Sequence, residues 1–199
     1  MPTRFSNPRL LWLTKINDRS QRAYMTNAHE KGHAVIKIAT QTCVAGLTGR
    51  DITEFLMTCD TRRYQAWWPG THLRFFTRDG GPGHVGSWFF MDEYVGRHRV
   101  RVGGRVIELD PGRRLVLKLS RFVPLPVWLT LDLRDTDDGV VIRHEIAAGF
   151  RGAGRVFDPL FRLHFNRRFA TDMDAHVREE FSRLPALLAT ERAASGAIG

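Results

Sequence analysis

The chain has 199 residues, 43% hydrophobic and 26% charged, which is typical of one globular domain with its own core. No apolar run approaches the ~20 residues of a membrane-spanning helix, and the N-terminus lacks a signal-peptide pattern, so we expect a cytoplasmic protein without a membrane span. The net charge of +9 comes mostly from scattered arginines, which argues against a nucleic-acid partner.

Cysteine, histidine and glycine spacing gives no sign of a cofactor. Cys43 and Cys59 are too few for a disulfide framework and do not have the spacing of metal ligands. The histidines at 72, 84 and 98 are scattered, and the glycine clusters match no phosphate-binding motif. We therefore expect no metal and no cofactor.

The first half of the chain begins with an extension and continues with one strand and two short helices. Residues 1–31 show little periodicity and are predicted to be a flexible N-terminal extension. Alternating β-branched residues predict a strand over 33–44. Apolar residues at helical spacing predict helices over 50–59 and 60–68, with Asp60 as the N-cap of the second.

Short strands separated by turns follow Pro69-Gly70. Alternating apolar residues predict six strands, over 73–77, 85–94, 99–109, 114–121, 126–134 and 140–150. Glycine, proline and aspartate predict turns over 79–83, 110–112 and 135–139. Gly103-Gly104 is expected to form a β-bulge.

The C-terminal region is predicted to be one long helix. Asp158 and Pro159 suit its N-cap and first position, and Pro185 is expected to kink or divide it. Apolar residues recur every three or four positions for about eight turns, at Phe161, Phe165, Phe169, Met173, Val177, Phe181, Leu184 and Leu188. Such a stripe needs a wide apolar partner, so the strands are expected to wrap around this helix. The domain is predicted to span 32–192, followed by a tail over 193–199.

The segment Asp60–Pro69, with Tyr64 and the paired Trp67-Trp68, resembles the second short helix of the START-like helix-grip superfamily (SRPBCC), in particular its polyketide cyclase/dehydrase and lipid-transport group. The end of the last strand, Arg143-His144-Glu145-Ile146, running into Asp158-Pro159-Leu160, is also similar. The resemblance implies an α+β fold in which a curved seven-stranded antiparallel sheet wraps around the C-terminal helix and encloses an apolar pocket.

Strand alternation directs the expected pocket residues. His144 shares a face with Val140, Ile142 and Ile146, so it is expected to point into the pocket, where a neutral imidazole suits acid/base work or binding of a ligand carbonyl. A core histidine that hydrogen-bonds a neighbour is the other interpretation. The pocket wall is expected to contain Tyr64, Trp67, Trp68, Phe75, Trp88, Phe90, Leu117, Leu129, Leu131, Ile142, Phe161, Phe165 and Phe169.

Three functions are compatible with these expectations. The first is binding or transport of an apolar small molecule, a lipid or a polycyclic, polyketide-like compound, because aromatic residues are many and polar pocket residues few. The second is a polyketide cyclase, aromatase or dehydratase in which His144 moves a proton. The third is an interaction module without a ligand, and a homodimer is left open.

Overall fold

A computed structural model describes residues 36–78, 84–120, 124–150 and 152–196. The predicted extension over 1–31 and the predicted turn over 79–83 lie outside these residues. The elements in chain order are β1 (Ile36–Ala45), α1 (Gly49–Thr58), α2 (Thr61–Trp67), β2 (His72–Arg78), β3 (Trp88–Val95), β4 (His98–Asp110), β5 (Arg114–Ser120), β6 (Pro124–Thr136), β7 (Gly139–Ala148), a 3₁₀ segment (Gly152–Phe157), α3 (Asp158–His164) and α4 (Arg167–Gly196).

The seven strands in the described part of the chain form one antiparallel sheet, in the order β1-β7-β6-β5-β4-β3-β2. Strands β2 to β7 follow one another along the chain and across the sheet. The first strand joins at the far edge, where Thr40 lies opposite His144 of β7. An open antiparallel sheet with two short helices after the first strand and a long C-terminal helix confirms the predicted helix-grip architecture.

Side-chain caps define the ends of the two short helices. Thr48 and Asp51 form a capping box at the start of α1, in which each side chain accepts the other's backbone N–H, at 3.2 Å and 2.7 Å. The Asp60 carboxylate accepts the N–H of Arg63 at 2.8 Å, which confirms Asp60 as the N-cap of α2. Among the described residues, no helix is long and apolar enough to cross a bilayer.

The predicted bulge at Gly103-Gly104 is wrong. Both glycines pair regularly with β3 and β5, and the register shift in β4 lies between Val106 and Glu108. The glycines instead make room for aromatic rings, because a Cβ on Gly103 would lie 2.7 Å from Cζ2 of Trp88 and one on Gly104 would lie 2.9 Å from the ring of Phe89. Such distances are shorter than real carbon contacts, so β4 needs glycine on both faces here.

The C-terminal helix is not continuous, contrary to the prediction. Helix α3 ends at His164 and α4 begins at Arg167. Between them, the Asn166 side chain accepts the N–H of Phe169 at 3.0 Å and so caps the new helix. Pro185 lies inside α4 and does not divide it.

The buried face of α4 packs against the inner face of the sheet. Its buried apolar residues are those that the spacing predicted from Phe169 onward: Phe169, Met173, Val177, Phe181, Leu184 and Leu188. Helix α2 is fastened to α4 by the Trp67 indole, which donates to the backbone carbonyl of Glu180 at 2.7 Å. At the β3–β4 turn, Gly96 adopts φ +57, and a side chain there would collide with Asp172 of α4.

Candidate functional site

A cavity of about 840 Å³ lies between the inner face of the sheet and the C-terminal helices. Its wall is mainly aromatic and aliphatic, with side chains from α1, α2, six strands and α4. Exposed residues on the wall mark its opening, where Arg97 and Arg99 of the β3–β4 turn region and Phe157 of the 3₁₀ segment line the cavity. The volume falls in the range of small-molecule pockets, roughly 300–1,000 Å³.

Nine of the residues expected in the pocket line this cavity. They come from α2, β2, β5, β6, β7, the α3–α4 link and α4, namely Tyr64, Trp67, Phe75, Leu117, Leu129, Leu131, His144, Phe165 and Phe169. The period-two alternation of β5, β6 and β7 explains the aliphatic members, because alternate residues of a strand face the same side.

Trp88 and Phe90 do not line the cavity, contrary to expectation. In β3 the inner face carries Phe89, which lines the cavity, so its neighbours point to the other side of the sheet. There the Trp88 and Phe90 rings group with Phe76, at centroid distances of 5.9 Å and 5.2 Å. Alternate residues of the run 88–90 face opposite sides of the sheet. The sequence prediction placed Trp88 and Phe90 on the cavity side, where the structure has Phe89.

Trp68 and Ile142 are also placed away from the cavity wall. The Trp68 ring stacks on the imidazole of His176 in α4, with a centroid distance of 4.9 Å. The guanidinium of Arg183 lies over the Trp68 ring, 5.1 Å from its centroid. Ile142 is fully buried in the core but does not contribute to the cavity. The side chain of Phe161 lies outside the described residues.

His144 is 6% exposed and faces the cavity from the middle of β7. Its Nδ1 has no hydrogen-bond partner among the described residues. Burial lowers the pKa of His144 to about 4, with a smaller opposing influence from the charge of Glu180. The imidazole is therefore neutral at pH 7.

A buried polar cluster borders the cavity, and the sequence interpretation did not find it. It consists of His72 of β2, Glu93 of β3, and His176 and Glu180 one turn apart on α4. One ligand-type atom from each side chain lies within 4.8 Å of all the others. Three of the four residues line the cavity, all except His72.

The distances within this cluster are short and similar. His72 Nε2 lies 3.2 Å from a Glu180 carboxylate oxygen and 3.7 Å from one of Glu93. His176 Nε2 lies 3.9 Å from an oxygen of each carboxylate. Neither Nε2 atom meets hydrogen-bond geometry with any described residue, although both are buried. Both imidazole nitrogens thus face carboxylate oxygens, and His72 Nε2 lies within ion-pair distance of Glu180.

Tyr64 and backbone groups orient the cluster from behind. His72 Nδ1 lies 3.0 Å from the backbone carbonyl of Tyr64, so it carries the proton in the neutral ring and leaves Nε2 facing Glu93 and Glu180. The Tyr64 hydroxyl donates a short hydrogen bond to Glu93, and its ring stacks on His72 at 3.9 Å. These contacts hold two of the four side chains in one orientation.

Burial and the neighbouring charges both shift the pKa values of the cluster residues. Burial raises the pKa of Glu93, and the nearby Glu180 carboxylate raises it further. For Glu180, burial also acts upward, but contact with His72 and the histidine charges outweigh it and lower the pKa. Burial acts to lower the pKa of His72, but contact with Glu180 and both carboxylate charges outweigh it and raise the pKa. His72 and Glu180 therefore stabilise each other's charged forms, whereas the protonated form of Glu93 is favoured.

Two sequence signals could have revealed the cluster. Glu93 follows Phe89 and Met91 by period two, so a carboxylate is placed on the apolar face of β3. His176 and Glu180 lie four residues apart and next to the apolar stripe, where one helix face presents both. His72 lies directly opposite Glu93 in the β2–β3 register. The spacing of residues along the chain does not predict this register.

The sequence matches no family model and no curated protein. Among solved structures, Ara h 8.0201 is similar with a TM-score of 0.54 at 11% identity, over 78% of this chain and 99% of that one. KanY is similar with a TM-score of 0.52 at 10% identity, over 77% of this chain and 96% of that one.

A third similar structure is the di-domain ARO/CYC BexL from the BE-7585A biosynthetic pathway. Its TM-score is 0.53 at 14% identity, over 89% of this chain and 60% of that one. Identities this low establish the fold alone. The chain has the helix-grip fold that its sequence predicted.

Proposed function

We propose that this protein binds a hydrophobic small molecule, a lipid or a polycyclic, polyketide-like compound, in the cavity between the sheet and the C-terminal helices. The observation that carries the proposal is the cavity itself, about 840 Å³ and lined mainly by apolar side chains. Protein cores pack as densely as organic crystals and tolerate few voids larger than a water molecule. A space of this size and lining suits an apolar ligand.

The polar residues on the wall restrict the ligand further. His144 presents a neutral imidazole to the cavity, and Glu93, His176 and Glu180 line the same cavity. A ligand that matches this wall has an apolar body and a hydrogen-bonding group, such as a carbonyl or hydroxyl, that reaches His144. Burying the ring without such a partner costs free energy, which a ligand group recovers.

The environment of His144 favours hydrogen bonding over proton transfer. A general base works best when its pKa lies near the working pH, and burial lowers the pKa of His144 to about 4. The imidazole is therefore a weak base at pH 7, and we propose that it orients the ligand. The likeness to an ARO/CYC concerns the fold, and it makes polycyclic aromatic compounds a useful part of the ligand panel.

Two neighbouring substitutions test the proposal. Leu117 lines the cavity from β5, whereas Lys118 is exposed on the opposite face of the same strand. Leu117→Trp should fill part of the cavity and weaken ligand binding about tenfold or more, about 1.4 kcal/mol, because the indole takes space that the ligand needs. Lys118→Trp adds the same ring outside and should leave binding unchanged. Native mass spectrometry and fluorescence titration with fatty acids and polycyclic aromatics would measure both.

The ligand panel gives two clear outcomes. Retention of an apolar molecule by the purified protein, or uptake that Leu117→Trp weakens and Lys118→Trp does not, supports the proposal. A protein that takes up no member of the panel, or equal binding by both variants, contradicts it. In that case a mass that increases with concentration would favour an interaction module.

A further inference from the structure

We propose that His72, Glu93, His176 and Glu180 form a binding site for one divalent first-row transition-metal ion, at the edge of the ligand cavity. No cofactor was expected from the sequence, and hydrophobic ligand binding does not require one. The inference comes from the donor atoms, their spacing, their burial and the contacts that orient them.

The spacing of the four donor atoms suits a metal ion. Zn²⁺ binds imidazole nitrogen and carboxylate oxygen at about 2.0–2.2 Å, so neighbouring ligands of a tetrahedral site lie roughly 3.4 Å apart. His72 Nε2 lies 3.2 Å and 3.7 Å from oxygens of Glu180 and Glu93. His176 Nε2 lies 3.9 Å from the same Glu93 oxygen and 3.9 Å from the other Glu180 oxygen. Small side-chain movements would bring all four atoms to an ion at their centre.

Buried ring nitrogens without hydrogen-bond partners among the described residues also support a metal site. The Nε2 atoms of His72 and His176 are buried and have no hydrogen-bond partner among the described residues, and the two imidazole side chains are 0% and 4% exposed. An unsatisfied buried polar group destabilises the fold, and an unpaired buried carboxylate does so more strongly. A divalent cation would satisfy both nitrogens and balance the two carboxylates.

The groups behind the cluster resemble the supports of a metal site. Metal-binding histidines commonly donate their other ring N–H to a backbone carbonyl, which directs the free nitrogen to the ion. His72 Nδ1 makes this contact with the Tyr64 carbonyl at 3.0 Å. The Tyr64 hydroxyl holds Glu93, and the Trp68 ring stacks on His176 at 4.9 Å. The ligands are thus oriented before an ion binds.

The donor set restricts the identity of the ion. Two imidazoles with two carboxylates suit Zn²⁺, Fe²⁺ or Mn²⁺, whereas Mg²⁺ and Ca²⁺ prefer oxygen ligands. Because Glu93, His176 and Glu180 line the cavity, a bound ion would be accessible from it.

Metal titration of the full chain tests the site without any apolar ligand. After treatment with EDTA, the protein should bind one equivalent of Zn²⁺, and Co²⁺ should give the visible absorption of a low-coordinate complex. His176→Gln and Glu180→Gln should each weaken binding by about tenfold or more. His84→Gln is the matched control, because His84 is exposed and outside the cluster, and it should bind as the wild type does.

X-ray absorption of the Zn²⁺-loaded wild type decides the matter even if a cluster variant fails to fold. Two imidazoles with oxygen ligands and no sulfur support the site. Sulfur ligation would assign the ion to Cys43 or Cys59 and overturn the proposal. The absence of stoichiometric binding, or binding that His176→Gln and Glu180→Gln leave equal to the His84→Gln control, overturns it as well.

Discussion

At the scale of single residues, burial decides the charge of His144. Its pKa falls from 6.5 to about 4 because the charged ring loses its hydration inside the sheet. The folded state thus favours the neutral form, and the resulting stability is present above the unfolded pKa of about 6.5 and lost as the pH falls toward 4. As the pH falls, His144 is protonated at a higher pH in the unfolded chain than in the folded protein.

This shift predicts a specific acid sensitivity. Between about pH 7 and about pH 5, protonation linked to His144 should cost about 2 kcal/mol of unfolding free energy. His144→Gln should remove that part of the pH dependence, measured by urea denaturation at both pH values. His84→Gln, which removes an exposed histidine, should keep the wild-type dependence. Parallel pH profiles for wild type and His144→Gln would contradict the prediction.

At the scale of elements, Asn166 separates the two C-terminal helices. Its side chain accepts the N–H of Phe169, a donor that would have no partner in the first turn of α4. Asn166→Ala should therefore lower the unfolding free energy by about 1 kcal/mol. Asn166→Asp keeps an acceptor and should stay close to the wild type. A more stable Asn166→Ala variant would mean that a continuous helix is the preferred state and that the cap has no stabilising role.

The elements also show where periodicity is a sufficient guide. The stripe from Phe169 to Leu188 is buried as predicted, because 3.6-residue spacing alone assigns a helix face. The same stripe began at Phe161 in the prediction and ran through residues 165 and 166, since spacing carries no information on a cap that interrupts it. In β3, period two separates Phe89 from Trp88 and Phe90, but it does not say which set faces the helix.

At the scale of the whole molecule, the cavity couples ligand binding to stability. A ligand that binds only the folded state stabilises it by about 2.7 kcal/mol at a free concentration one hundred times its Kd. Thermal or urea unfolding with a saturating member of the ligand panel should show this gain for the wild type and for Lys118→Trp. Leu117→Trp should show a smaller gain at the same concentration. Equal stabilisation of all three would place the ligand outside the cavity.

Local patterns were enough to determine the order of the strands and of the two short helices, the Asp60 cap, the inward direction of His144 and a sheet that packs on a C-terminal helix. These features depend on periodicity and caps, which involve residues only a few positions apart. The Tyr64-x-x-Trp67-Trp68 segment added the superfamily resemblance.

The buried cluster was decided by the tertiary structure alone. Strand register places His72 opposite Glu93, and the docking of α4 brings His176 and Glu180 to them from about a hundred residues away. The spacing of residues along the chain does not predict this cluster, because the cluster depends on how β2, β3 and α4 pack together. The same packing lowers the pKa of His144, since desolvation is a property of the closed sheet and helix and not of the neighbouring residues.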